Sequence, residues 1–492
     1  MPNMWLVFLA CAGNPDLGLT TQWARGFQAR LLACINEHFA LAIVPISWQI
    51  ISAMSAPQGI SGGQVFQFLM QSQHWTPEQM RAFQQNELGS LLRHARATVR
   101  FYKTRLDPIF KADGSIDWSQ WHKLPILKRA DVVTNYEAMQ SSKLPAGHGP
   151  TATDTTSGST GHAIKVTFTK LIGDIGHILD WRAQRWWNFD WSAVRVNWNG
   201  DLPADWEAKS RVGKGPWGCV DDAKAQQGQW YEYDRGAPLD AQLQHLHDVN
   251  AKYLSAQSNF PYAAALEMLR SDKRAKIDAT LLFSASVEPE YYGAVKDAFG
   301  AKIRGMYSSK EAGRIGYTCA TGQHYHVCAE NALVEILDDD DRPCPPGQTG
   351  RVIVTPFYNT AQPFIRYDQG DMASWGKPCS CGITLPVIDK IDGRIYHLFK
   401  RPDGKRFAPQ VLDHLRKNLG AEFWQFAQIG VNYIEVRYKP IGRRDKQREE
   451  SFSAELQREF RHGFEISYKI IKNLPLTKSG KFIKYVNETY ND

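Results

Sequence analysis

At 492 residues the chain is long enough to hold several domains and to bury large cores. With 43% hydrophobic and 22% charged residues it reads as a globular protein, and eight cysteines in that length exclude a disulfide scaffold. The net charge of +7 is dispersed, and its densest cluster, KPIGRRDKQR (439–448), reads as a solvated turn, so the nucleic-acid-binding class is set aside.

In chain order, the apolar MWLVFLACA (4–12) has no Lys or Arg before it and does not read as a secretory signal. FALAIVPISWQIIS (39–52) is too short to span a bilayer and is interrupted by Pro45. Residues 1–80 are expected to be a helical extension of unknown role packed on the body, with peripheral membrane contact as the alternative. No transmembrane segment is expected, and the expected location is cytoplasmic. Apolar residues recur at helical spacing over 77–104, and KLPILKRADV (123–132) joins a Pro turn to a helix start.

TTSGSTGHAIKV (155–166) gathers Ser, Thr and Gly from Thr156 to Gly161 just before the strand-like IKVTFT. Glycine lets the backbone approach a ligand, and successive N–H groups can form an anion nest. The stretch therefore reads either as a phosphate-binding loop or as a hairpin loop. It is not a Walker A loop, because no G-K-[ST] ends it. The helical pattern returns over Leu171–Trp187. Half of the sixteen tryptophans fall between Trp181 and Trp230. They read either as a wall for an organic substrate or, for most of them, as aromatic packing.

Helical and strand-like runs alternate over 239–304, including TLLFSAS (280–286), which predicts an α/β fold. RVIVTP (351–356) is another strand. Beyond Gly393 the pattern predicts helix (409–418), strand (423–429), strand (432–438), charged helix (449–461) and strand (464–471). The expected division is an N-terminal extension (1–80), a large domain of mixed β-sheets flanked by helices (81–393) and a small, mobile α+β domain (394–492).

TSGSTG (156–161), YSSKEAG (307–313), RYDQGD (366–371), IDGR (391–394) and LPLTKSGKF (474–482) occur in a fixed order across more than 300 residues. This order resembles the adenylate-forming enzymes that activate carboxylic acids with ATP, over roughly residues 80–490. LLRHARATVRFYKTRL, LPILKRADV and CSCGITLPVIDKIDGR make it most similar to the phenylacetate–CoA ligase branch. The resemblance implies a ligase that joins an acid to AMP with release of pyrophosphate and then passes the acyl group on, with CoA as the first choice of acceptor. An amine or a carrier-protein thiol is the alternative acceptor, and a non-catalytic binding protein on the same fold is the alternative class.

By the same resemblance, Thr156, Ser157, Gly158, Ser159, Thr160 and Gly161 would hold the ATP phosphates, with Lys165 as an added cation. Glu311 would bind Mg²⁺, a hard cation that takes oxygen ligands and bridges phosphates. Tyr307, with Ser308 and Ser309 beside it, would stack on adenine, and Ser286, Val287 and Glu288 would line the other face. Asp371 would accept from the ribose hydroxyls and Arg394 would add a ribose or phosphate contact. Lys481 would bridge the substrate carboxylate and the α-phosphate, which makes it and Glu311 the catalytic pair. Lys478 reads as a surface lysine.

Three departures from relatives stand out. Lys310 precedes the motif glutamate where many have Thr. Tyr396 and His397 follow the GR, where many relatives have an acidic hinge. The Trp-rich middle does not match a simple aryl-acid pocket, so phenylacetate itself is not implied. Last, Cys319 and His326 in CATGQHYH, with Cys379 and Cys381 in CSC, supply the three thiolates and one imidazole that suit a closed tetrahedral zinc site. His324 and Cys328 are the alternative ligands, and ordinary reduced cysteines are the alternative reading. Neither the acid nor the oligomeric state is legible.

Overall fold

The computed structural model describes residues 61–492 except 157–163, 200–209, 224, 235–236, 258, 271–274, 284–288, 395–397, 402–405, 408, 410–414, 461–462, 474–483 and 490–492. Capping chemistry sets its first two helices. Ser61 and Gln64 form a reciprocal capping box at the start of Gly62–Ser72, and Thr76 and Gln79 do the same for Pro77–Thr98. Pro77 sits in the first turn, where no N–H is needed. Val65, Phe66 and Leu69 belong to one buried cluster with Leu91 and Leu92 and with Ile178 of the helix Lys170–Trp186. The main core thus takes in side chains upstream of residue 81.

Strands β1 (Thr151–Thr155) and β2 (Lys165–Thr169) form an antiparallel hairpin in which Thr155 pairs with Lys165. Next come β3 (Arg195–Asn199), β4 (Ser210–Val212), β5 (Trp230–Asp234), β6 (Tyr253–Gln257), β7 (Ala279–Phe283) and β8 (Lys302–Ser309). They are followed by β9 (Gly313–Thr318), β10 (Tyr325–Val327), β11 (Ala332–Leu337), β12 (Thr349–Pro356), β13 (Tyr367–Trp375) and β14 (Val387–Arg394). Among the described residues these twelve strands make one sheet, in the order β11-β12-β13-β14-β10-β9-β8-β7-β6-β3-β5-β4.

The sheet has two halves of different chemistry. β5, β3, β6, β7 and β8 run parallel, and the helices Asn259–Arg270 and Pro289–Phe299 provide crossovers, as the alternation over 239–304 predicts. From β8 through β9, β10, β14, β13 and β12 to β11 every pairing is antiparallel. This second half is strongly curled. Tyr307 on β8 donates a hydrogen bond to Asp371 on β13 at 2.8 Å, although β9, β10 and β14 lie between them in the sheet. Four flat steps would span about 19 Å, so the sheet must bend to bring the two strands face to face. Ile315, Ile336, Val352, Val354 and Ile388 belong to the buried cluster of this half.

Four tryptophans of the Trp-rich stretch, Trp187, Trp191, Trp198 and Trp217, are buried. Trp187, Trp191 and Trp217 direct their indole N–H groups to Thr318 O, Gln184 Oε1 and Ala193 O. The packing reading holds for these four. Among the described residues no helix is long and apolar enough to cross a membrane.

After β14 come a short hairpin, β15 (Phe399–Lys400) with β16 (Arg406–Phe407), and a second sheet. That sheet contains β17 (Ala421–Gly430), β18 (Tyr433–Pro440), β19 (Glu465–Ile470) and β20 (Tyr485–Asn487), in the order β19-β18-β17-β20. The helix Lys446–Phe460 contributes Phe452, Leu456 and Phe460 to its core with Trp424 and Phe426. β20 is absent from the sequence reading. It pairs parallel with β17, and Asn487 donates to Leu398 O at 2.7 Å, which ties the end of the chain to the segment after β14.

Arg366 precedes β13 with a φ of 52° and is 2% exposed. Its guanidinium donates to both carboxylate oxygens of Glu335 at 3.1 and 3.3 Å and to the carbonyls of His122 and Leu124. Arg366→Met would leave Glu335 and two carbonyls without this donor. Urea denaturation is expected to show a loss of about 3 kcal/mol, the scale of breaking a buried ion pair.

Candidate functional site

The β1–β2 hairpin closes the ends of the loop 157–163. Thr156 N–H donates to Ile164 O at 2.8 Å, Ile164 N–H returns to Thr156 Oγ1 at 2.9 Å, and Arg129 donates to the same hydroxyl at 3.2 Å. Thr156 is thus a rigid post at the loop entrance. Ser157, Gly158, Ser159, Thr160 and Gly161 lie outside the described residues. Lys165, on the far side of the loop, places its ammonium over the Tyr136 ring at 4.8 Å.

The turn between β8 and β9 carries SSKEAG and is fastened to the same hairpin. Lys310 Nζ donates to Thr155 O at 2.8 Å and pairs with Asp154 at 2.5 Å. The hydrogen bond from Lys310 holds the Asp154 carboxyl below its ordinary value. The residue that departs from relatives at this position is therefore a strut between two motifs, and its charge is met by Asp154. Ala312 N–H donates to Ser309 Oγ at 3.0 Å, and Gly313 closes the turn with a φ of 67°, a conformation that favours glycine. Glu311 is buried and accepts from Tyr367 OH at 3.4 Å.

The Tyr307–Asp371 hydrogen bond joins YSSKEAG to RYDQGD, and both side chains are buried. Asp371 pairs in the ladder with Arg394 of IDGR, whose side chain lies outside the description. Ser308 and Ser309 end β8, with Ser308 opposite Arg314. Four of the five motifs therefore converge: the hairpin entrance, the β8–β9 turn, the start of β13 and the end of β14. Ser286, Val287, Glu288, Lys478, Lys481, Tyr396 and His397 lie outside the described residues.

Behind this site the four sulfur and nitrogen residues meet. Cys319 follows β9, His326 is on β10, and Cys379 and Cys381 are on the connection from β13 to β14. One ligand atom from each lies within 4.8 Å of all the others. Cys319 Sγ is 3.7 Å from Cys379 Sγ, and Cys381 Sγ is 3.3 Å from His326 Nε2. Sulfurs on one tetrahedral zinc are about 3.8 Å apart, given Zn–S bonds of about 2.3 Å. Burial holds the His326 pKa down at about 4, so the ring stays neutral, the form that ligates a metal. Burial pushes the Cys381 thiol up to about 12. Of the two alternative ligands, His324 packs its ring against His326 and Cys328 is buried beside Arg182; neither joins the quartet.

Buried charges that sequence reading missed flank the site. Arg182 donates to Glu330 at 2.6 Å, Ser72 donates to the same oxygen, and all three are buried. Asp180 accepts from Arg314 at 3.1 and 3.2 Å and from the Tyr317 hydroxyl. The available signal was the position of Arg182, four residues after Ile178, on the apolar stripe of its helix.

Solved structures share this architecture. A 2-hydroxyisobutyryl-CoA ligase in the postadenylation state, in complex with 2-HIB-AMP, aligns with a TM-score of 0.64 over 85% of this chain and 92% of its own, at 16% identity. The chain has the fold of the adenylate-forming CoA ligases. An open form of the same ligase, in complex with 2-HIB-AMP and CoA, aligns with a TM-score of 0.56 over 82% of this chain and 90% of that one, also at 16% identity. No protein-family model matches the chain, and no curated protein matches it in sequence.

Tyr307→Phe removes the donor to a buried carboxylate. A loss of about 1.5–3 kcal/mol in unfolding free energy is expected, the scale for a hydrogen bond to a charged group; unchanged stability would show that the bond does not bind the curled half together.

Proposed function

We propose that this chain is an AMP-forming acid ligase. It would activate a carboxylic acid with ATP, release pyrophosphate and pass the acyl group to a thiol, with CoA the favoured acceptor; the motifs resemble those of the phenylacetate–CoA ligase branch. The observation that carries the reading is the convergence of four motifs, joined by Tyr307–Asp371, Glu311–Tyr367 and Lys310–Thr155. The fold supports it, since a solved enzyme of the same fold is described with an acyl-adenylate and CoA.

In this reading the substrate carboxylate attacks the α-phosphorus, and the bond to the β-phosphate breaks as pyrophosphate leaves. The thiolate then attacks the acyl carbonyl, and AMP leaves. Both steps crowd anions together, so positive charge and preorganised donors are what the site must provide. The loop Thr156–Gly161 would cradle the β- and γ-phosphates, and Thr156 is held in place for it by Arg129 and Ile164. Tyr307 and the segment Ser286–Glu288 would enclose adenine. Asp371 and Arg394 would meet the ribose, and Lys481 would neutralise the carboxylate and α-phosphate as they approach. Glu311, buried and oxygen-bearing, fits Mg²⁺, which would offset phosphate charge when bound.

The Cys319–His326–Cys379–Cys381 quartet fits zinc in a structural role. It would staple the end of β9 to the connection that leads into β14 and Arg394, and so hold two sides of the nucleotide pocket. The closed ligand set leaves no position for a substrate.

Two measurements test these assignments. Pyrophosphate exchange into ATP, driven by a panel of carboxylic acids, is expected for the wild type and should vanish in Lys481→Ala, while conversion of supplied acyl-adenylate continues because only the first step loses its cation. Full exchange in that variant would remove Lys481 from catalysis. Elemental analysis is expected to find about one zinc per chain. Cys379→Ser should lose it with a fall in thermal midpoint, because metal-binding energy is partly folding energy. A metal-free protein of full stability would discard the site.

A further inference from the structure

Arg304 lies on β8 and is buried, with 9% of its surface exposed. Its Nη1 donates to the carbonyl oxygens of Cys319 and Ala320 at 3.3 and 3.1 Å. Its Nε is buried and has no hydrogen-bond partner among the described residues. Trp187 flanks it, with the ring centre 6.0 Å from the guanidinium carbon, and donates its own N–H to Thr318 O at 2.9 Å. The guanidinium is thus packed against an indole and against the backbone of the segment that carries Cys319.

A buried cation is costly unless an anion answers it. The other arginines of this region are answered: Arg182 by Glu330, Arg314 by Asp180 and Arg366 by Glu335. Among the described residues Arg304 forms no ion pair. Its two carbonyl partners are dipoles and carry no net charge. Burial works against its charge, and the neighbour that favours it is Cys319.

The quartet can supply the missing anion. Zinc takes cysteine as thiolate and histidine as the neutral ring. Cys319, Cys379, Cys381 and His326 around one Zn²⁺ therefore leave one net negative charge. The local backbone is polar toward these sulfurs. Thr321 places its N–H and its hydroxyl 3.5 and 3.3 Å from Cys319 Sγ, and Cys381 N–H lies 3.4 Å from Cys379 Sγ. These donors temper the charge on sulfur without cancelling it. One unanswered guanidinium beside one net negative centre closes the count.

We propose that Arg304 is the counter-ion of the zinc–trithiolate centre and that its positive charge raises the affinity of the quartet for the metal. The proposal rests on the zinc reading of the quartet and adds the residue outside the ligand set that tunes it. Tyr307 follows three residues later on β8. The same strand then carries the counter-ion of the staple and one half of the Tyr307–Asp371 hydrogen bond.

The test measures zinc affinity on the full chain, by competition with a chelator of known affinity, for the wild type, Arg304→Met, Arg304→Gln and Arg304→Lys. Met and Gln remove the charge, and Gln stays polar; Lys keeps the charge without the planar fork. Binding is expected to weaken by roughly ten- to a hundredfold in the two uncharged variants, the scale for a partner just outside a metal's ligands. Arg304→Lys should recover most of that loss. The visible spectrum of the cobalt-substituted protein reads the ligand set separately, and it should show the same tetrahedral, thiolate-bound ion in all four proteins. Wild-type affinity in the uncharged variants, or an Arg304→Lys variant as weak as they are, would overturn the proposal and leave the zinc site standing. A cobalt spectrum that loses thiolate ligation in the uncharged variants would also overturn it, since Arg304 would then only hold Cys319 in place. Failure of the wild type to bind either metal would overturn the proposal and the zinc reading together. The Lys and Gln variants carry the comparison by themselves if Arg304→Met does not fold.

Discussion

The Tyr307–Asp371 hydrogen bond exists only because the antiparallel half of the sheet bends through four strand steps. The parallel strands deliver Tyr307 and the SSKEAG turn at their carboxyl ends. The curled strands deliver Asp371 and Arg394 to the same place. Without the bend these groups would lie about 19 Å apart on one flat surface. The bend is sustained by its filled interior, where Ile336, Val352, Val354 and Ile388 are fully buried, and by Arg366, whose contacts to Glu335, His122 and Leu124 anchor the start of β13.

Two further constraints follow from that geometry. The connection from β13 to β14 must return to the site, and Cys379 and Cys381 on it meet Cys319 and His326. The hairpin β1–β2 is a separate two-stranded sheet and needs its own attachment, which Lys310 supplies through Thr155 and Asp154. A threonine at that position carries no charge and could not make this ion pair. The helix Lys170–Trp186 then seals the other face of the parallel strands, but it brings Asp180 and Arg182 with it. Both charges are met, one by Arg314 and one by Glu330. Arg304, on β8, has no carboxylate partner among the described residues.

Much of this was legible in the residues. Helical spacing located Pro77–Thr98 and Lys170–Trp186, and alternation over 239–304 gave the parallel strands. The cysteine and histidine spacing named the quartet that the fold assembles. What sequence could not supply was long-range. Periodicity is local, so it carries no trace of the bend that sets Tyr307 against Asp371. The three residues of β20 are too few to show a period, and they are strand because β17 offers an open edge. Lys310 read only as a departure from relatives; its role as a strut depends on Asp154, far away in sequence.

The most direct measurement is to incubate the protein with ATP, Mg²⁺ and a panel of carboxylic acids, with no acyl acceptor, and to identify the products by mass spectrometry. Acid-dependent formation of an enzyme-held acyl-adenylate, with one pyrophosphate released per adenylate, is expected. Cleavage of ATP to ADP and phosphate, or the absence of acid-dependent ATP consumption with every acid, would contradict the assignment of the curled-sheet site to adenylation.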